Sequence, residues 1–318
     1  MFFSFLNLAI ASDDSCIIFC FIVASMALVV GWVLENVVVW GTALSTVWIA
    51  KQRFLYPESF AWGLCCCWIA VFLQYFTLSV LVELSAEVIY KKIPYFNETK
   101  RPRYSLHKRM SSYAGFALRW SIPAAGYYIL WVPTFREGNF DLSVSYFMQL
   151  ALKVEVSLLC ADLFYWMWHC LQHNVKSLYV ISNHGFHHHH YYPIAAAGTW
   201  LGFIDLWVSS VLIGSRNMYV AELIFGSLTE FEFCLCLAFV HEMNCCDHSG
   251  KQLPFYSGFP LCPPLGLLLR LHESIPMHEA HHNFNHHSYG LLGVADRLFG
   301  TARFPKEYPV SVLSGEKK

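Results

Sequence analysis

Sixteen histidines stand in the 318 residues, and all but His107 fall between His169 and His287. Their spacing repeats. In HCLQH, His169 and His173 are four apart, and in HGFHH, His184, His187 and His188 stand at i, i+3 and i+4. HEAHH repeats that second pattern with His278, His281 and His282. On a helix such positions share one face about a turn apart, so each box can aim imidazoles at a common point. Members at i+3 and i+4 diverge enough to serve two neighbouring ions. His248, in DHSG, is a lone candidate between the boxes. Imidazole suits zinc, copper, iron and nickel, whereas calcium prefers oxygen ligands. Nine imidazoles exceed what one tetrahedral zinc can use, so the spacing implies two metals. Two redox metals beside an apolar cavity suit activation of dioxygen and insertion of oxygen into a C–H bond. That chemistry, rather than the spacing, favours iron.

The remaining histidines divide by position. His189, His190, His286 and His287 adjoin the boxes but point about 100° away from their neighbours, which places them behind the ligands or on the surface. His241 lies two turns before His248 on the same face, either as a tenth ligand or as a donor near the site. His107 and His272 stand alone and read as packed or interfacial groups. Metal-bound histidines need a partner that holds the ring in the correct tautomer, and Asp162 and Asp296 are the candidate carboxylates for that role. For Asp296 a loop cap is the alternative. Glu155, Asp205, Glu222, Glu230 and Glu232 lie in apolar runs, where they either line a cavity or pair with Lys153 or Arg216.

The elements that carry these residues are apolar. The chain is 56% hydrophobic and 14% charged, and its net charge of −1 provides no field to gather nucleic acid. Residues 16–50 hold the single charge Glu35 and form either one long tilted helix or a tight hairpin. Residues 60–82 are uncharged and make the clearest spanning helix. Further runs cover 120–135, extended by the preceding residues, 142–168, 193–215 and 217–240. Charges inside such runs, such as Lys153, Glu155 and Asp162, face a bundle interior. The stretch 91–109 holds seven Lys or Arg, which marks it as a cytosolic loop. Crossing outward through 110–135, turning at 133–141 and crossing back delivers His169 to the cytosolic face, and an even number of later crossings brings all the boxes there. The Asn97 sequon then faces the cytosol and stays unmodified. The 12 cysteines lie mostly inside apolar runs and read as reduced, packed thiols. The N-terminal MFFSFLNLAIAS reads as a signal anchor rather than a cleaved peptide. The expectation is one all-α integral membrane domain over 1–318, with four to six hydrophobic helices and a cytosolic histidine-rich metal-binding cap. Within it, 1–141 are N-terminal membrane segments, 142–301 the histidine-box region and 302–318 a tail.

HCLQH, then HGFHH with Pro193 close behind, then HSG, HEAHH and ADRLFGT, resemble in order and spacing the fatty acid hydroxylase and sterol desaturase superfamily. Within it, the length and the HSG and FGT elements are most similar to methylsterol monooxygenases and cholesterol 25-hydroxylase. Asp162, seven residues before His169, matches the acidic position that precedes the first box. The resemblance covers roughly 162–301. It implies an endoplasmic-reticulum membrane enzyme that hydroxylates or desaturates a sterol or fatty-acyl lipid with O2. The same resemblance implies a di-iron centre, isolable with zinc, and electrons from a separate cytochrome b5 or its reductase. Cys170, Gly185 and Ala295 stand where the family commonly has Arg, Lys and Trp. The alternatives are a histidine-rich metal transporter, which would set its ligands near the bilayer midplane on broken helices, and a catalytically inactive di-zinc relative.

Overall fold

The computed structural model describes residues 15–56, 58–93, 95–96, 143–189, 193–209, 214–253 and 256–305, with isolated positions between 114 and 125. In the first helix it describes side chains from Val29 onward. The N-terminal MFFSFLNLAIAS, the Asn97 sequon, His107, most of the crossing at 110–135, the turn at 133–141, His190 and the tail beyond residue 305 lie outside the described residues.

All regular structure among the described residues is helical. The apolar run 16–50 contains no proline and folds as one helix, α1 (Ser15–Lys51). A three-ten turn, Gln52–Leu55, ends it. Ser59 then caps α2 (Phe60–Leu84) by accepting from the Trp62 amide, and α2 runs into a π turn at Ser85–Ile89. Val29–Leu55 and Phe60–Ile89 are long and apolar enough to cross a bilayer. The outer face of α1 agrees with that length: Val30, Leu34, Val37, Leu44 and Trp48 are each more than half exposed. An apolar stripe of this kind suits lipid rather than water.

Helix α3 (Val144–Asn174) starts at a Ser143 cap and carries the apolar run 142–168 straight into the first histidine box. A short α4 (Lys176–Ile181) follows. The runs 193–215 and 217–240 depart from the expected pair of crossings. The first is irregular where it is described, with a three-ten turn at Ala195–Thr199 and a single helical turn, α5 (Phe203–Leu206). The second is split into α6 (Gly214–Phe225) and α7 (Glu230–Asp247). The split has a local cause: Gly226 takes φ 84°, which stops α6, and Thr229 and Glu232 form a reciprocal capping box that starts α7. Helices α8 (Pro263–Leu268), α9 (Ser274–Phe284) and α10 (Val294–Leu298) complete the chain, with α9 ended by Asn285 at φ 60°.

Helix α7 is the centre of the bundle, packed by α1, α2 and α3, while α6 lies along α3. Polar groups inside this apolar packing are matched in pairs. Lys153 of α3 donates to Glu232 of α7 at 2.9 Å, both almost fully buried, and the same Glu232 oxygen caps the Thr229 amide. Arg53 reaches Glu230 at 2.7 Å, and Glu155 accepts from the Leu261 and Cys262 amides. Gln74 of α2 bridges Thr46 of α1 and the Cys234 carbonyl of α7. Of the acids expected to line a cavity or find a cation, Glu232 therefore holds Lys153, and Glu222 accepts from the Leu228 amide. The described cysteines carry free thiols, as expected.

Glu232 serves both a cap and a buried ion pair. Glu232→Ala should destabilise the chain by about 3–5 kcal/mol by stranding Lys153, and Lys153→Met in the same chain should recover much of that. Thermal unfolding of the single and double variants in detergent reads both numbers.

Candidate metal centre

The last turn of α3 presents His169 and His173 one turn apart. Ten residues after His173, beyond α4, Asn183 at φ 53° reverses the chain into the second box. That box is a three-ten turn, His184–His189, not the α-helix its spacing suggests. Gly185 weakens helix there, and a Cβ at this position would lie 3.2 Å from the Tyr179 ring. Helix α7 ends at Asp247 with His248 as its cap residue, and α9 carries His278, His281 and His282 on its buried side.

These elements sort all nine histidines into two groups. His169, His173, His184, His188 and His281 form one, and His187, His248, His278 and His282 the other, with one ring nitrogen of each lying within 4.8 Å of the rest of its group. His173 is partly exposed and the other eight are buried. Each box is divided by its own spacing: His184 and His188 face the first group while His187 turns to the second, and His278 and His282 face the second while His281 turns to the first. His189 and His286 are exposed. His241 lies elsewhere, among α2 and α7, with Nε2 against Ser79 Oγ and the Tyr75 carbonyl. It is not a tenth ligand.

Tautomers decide whether the groups can hold a cation. A carbonyl can only accept, so His169, His281 and His248 carry their protons on Nδ1, which donates to Tyr289 O (2.8 Å), His287 O (2.7 Å) and Asn244 O (2.7 Å). His184 Nδ1 likewise donates to Asp205 Oδ2 at 2.7 Å. The Nε2 atoms of these four rings are then bare lone pairs, and they point inward. His184 and His281 Nε2 both lie 3.1 Å from His188 Nε2, and His248 Nε2 lies 2.9 Å from His278 Nε2. One proton on His188 can bridge one such contact, not both. Nε2 of His169 and both nitrogens of His282 are buried with no hydrogen-bond partner among the described residues. Converging lone pairs and orphaned nitrogens fit a cation in each group.

The carboxylates act at different distances from the rings. Asp205 touches one directly and is itself held by Trp168 Nε1 (2.9 Å) and Ser209 Oγ (3.1 Å). The sequence placed it in an apolar run, to line a cavity or pair with Lys153 or Arg216; it meets His184 instead, and its position in the run contains no signal for that partner. Asp162 and Asp296 touch no ligand ring, contrary to the role expected of them. Asp162 accepts four amides, those of Leu291, Leu292, Gly293 and Ala295, while Asp296 accepts Tyr289 and Gly290 and the Thr301 hydroxyl. They hold the loop whose Tyr289 carbonyl orients His169. The loop leaves no room for error: a Cβ on Gly290 would lie 2.4 Å from Asp162 Oδ1. The physical reason is burial: four loop amides without water need an acceptor more than the rings, which find carbonyls.

Burial, then the neighbouring imidazoles, holds His187, His188, His278 and His282 well below the usual histidine range. Burial also pushes His281 down to about 3, against its bond to the His287 carbonyl, which raises it. Neutral rings are what a metal requires.

Residues 154–301 match the family model for fatty acid hydroxylases, just under half of the chain. All nine histidines, Asp162, Asp205 and Asp296 lie inside that match. No curated protein and no solved structure matches the chain. The match supports the superfamily resemblance and a lipid-directed oxidoreductase.

Two outcomes follow for the chain itself. Unfolded histidines titrate near 6.5 while the buried ones resist protonation, so the metal-free protein is most stable above about pH 6.5 and loses stability as pH falls below it. Melting temperatures at pH 7.5 and 5.5 should differ in that direction. Asp162→Ala strands four buried amides and should cost about 3 kcal/mol or more, with lower metal content measured by elemental analysis.

Proposed function

We propose that this chain is a membrane-bound oxygenase that hydroxylates or desaturates a sterol or fatty-acyl lipid with O2, using two iron ions held by His169, His173, His184, His188 and His281 and by His187, His248, His278 and His282. The observation that carries this reading is the pair of inward-facing imidazole groups inside the region similar to fatty acid hydroxylases. When bound, an iron pair supplies the activation of dioxygen that an unactivated C–H bond requires.

The chain's own residues supply the rest. Backbone carbonyls and Asp205 keep the ligand rings in the Nδ1-protonated form. Asp162 and Asp296 keep the 289–295 loop against α3. The burial of eight of the nine rings keeps bulk water, with its hydrolysis and stray proton delivery, away from the centre. Four to six hydrophobic segments would seat the chain in the endoplasmic-reticulum membrane, the boxes facing the cytosol where cytochrome b5 or its reductase delivers electrons. A lipid would then reach the centre from the bilayer. The methylsterol monooxygenase and cholesterol 25-hydroxylase resemblance favours a sterol. The departures at Cys170, Gly185 and Ala295 remove no ligand: Cys170 bonds Asn174, and Ala295 contributes its amide to Asp162.

Lipid mass spectrometry of membranes expressing the wild type or His281→Ala, fed sterols and fatty acids with the electron donor supplied, tests the reading. A wild-type product that gains one oxygen or loses two hydrogens is expected. Matching profiles from abundant, metal-loaded proteins would instead favour a transporter or an inactive relative.

A further inference from the structure

The two histidine groups differ in what stands behind their rings. In the five-histidine group, three Nδ1 atoms are already bonded: His169 to Tyr289 O, His281 to His287 O and His184 to the Asp205 carboxylate. In the four-histidine group one is, His248 to Asn244 O. The Nδ1 atoms of His187, His278 and His282 are buried with no hydrogen-bond partner among the described residues. The acid beside that group, Asp247, spends one oxygen on the Ser274 hydroxyl rather than on a ring.

We propose that the two metal positions are unequal: the five-histidine position retains its ion through Asp205, and the four-histidine position exchanges its ion readily. The inference rests on the reading that both groups hold metal. Rings pinned from behind lose little freedom on ligation and present their lone pairs in advance, whereas unpinned rings must choose both tautomer and orientation. A carboxylate behind a histidine also raises its basicity, and removal of such a partner typically weakens metal affinity about 10–100-fold. Asp205 is 1% exposed and anchored by Trp168 and Ser209, so its charge is not spread into water. It is a positioning residue, acting through His184.

The test uses the full chain in detergent, loaded with zinc and challenged with a chelator, the retained metal per chain being followed by elemental analysis. The wild type should release one equivalent quickly and the second at least about tenfold more slowly. Asp205→Ala should speed the slow release about 10–100-fold and leave the fast one unchanged, with Asp205→Asn, which keeps an acceptor, in between. His282→Ala should remove the fast equivalent alone. A single release rate in the wild type overturns the proposal, as does equal acceleration of both equivalents by Asp205→Ala. A wild type that binds no zinc overturns this proposal and the oxygenase reading together. Two unequal equivalents without any lipid product support the inequality and overturn the oxygenase reading alone.

Discussion

Buried imidazole lone pairs that face one another repel, and the described helices around the centre serve to hold them in that arrangement. The rings cannot relax by rotating, because backbone carbonyls and one carboxylate grip four of them by Nδ1. The grip on His169, by the Tyr289 carbonyl, in turn depends on a loop that would not stay closed alone. Residues 289–295 turn tightly in a water-poor interior, and Asp162 and Asp296 satisfy their amides. A cation between the lone pairs converts the repulsion into ligation, so the fold stores in its side chains the preference for metal.

The bundle behind the centre solves a related problem in an apolar setting. A helix packed in an apolar bundle can carry a charge if a partner meets it. Lys153 and Glu232 do this across α3 and α7, and Gln74 ties α1, α2 and α7 with neutral hydrogen bonds. The Lys153–Glu232 pair constrains the rotation of α3 about its axis. That rotation decides where His169 and His173 point, so a pairing four turns away from the first histidine box helps to aim it.

The division of labour among the acids follows from what each can reach. Asp162 in α3 and Asp296 in α10 meet the free amides of the 289–295 loop and become its anchors. Asp205, on a single helical turn, meets the His184 ring instead. The metal centre thus has an oriented side and a looser side, although the boxes that build it look alike in sequence.

The sequence by itself picked out the nine histidines that the structure gathers into two groups, because imidazoles at i, i+3 and i+4 are recognisable without coordinates. It also determined the long helices α2 and α3, whose apolar runs contain no proline, and left α1 open between one helix and a hairpin. The grouping into five and four, the three-ten turn of the second box, and the partners of Asp162, Asp296 and Asp205 were decided by tertiary structure alone. The break between α6 and α7 had instead a local cause, a glycine at positive φ and a capping box, which ended an apolar run that reads in sequence as one crossing. Spacing along one helix states which rings share a face, but which ring meets which depends on how separate helices cross, and hydrogen bonds between residues far apart in the chain set that crossing.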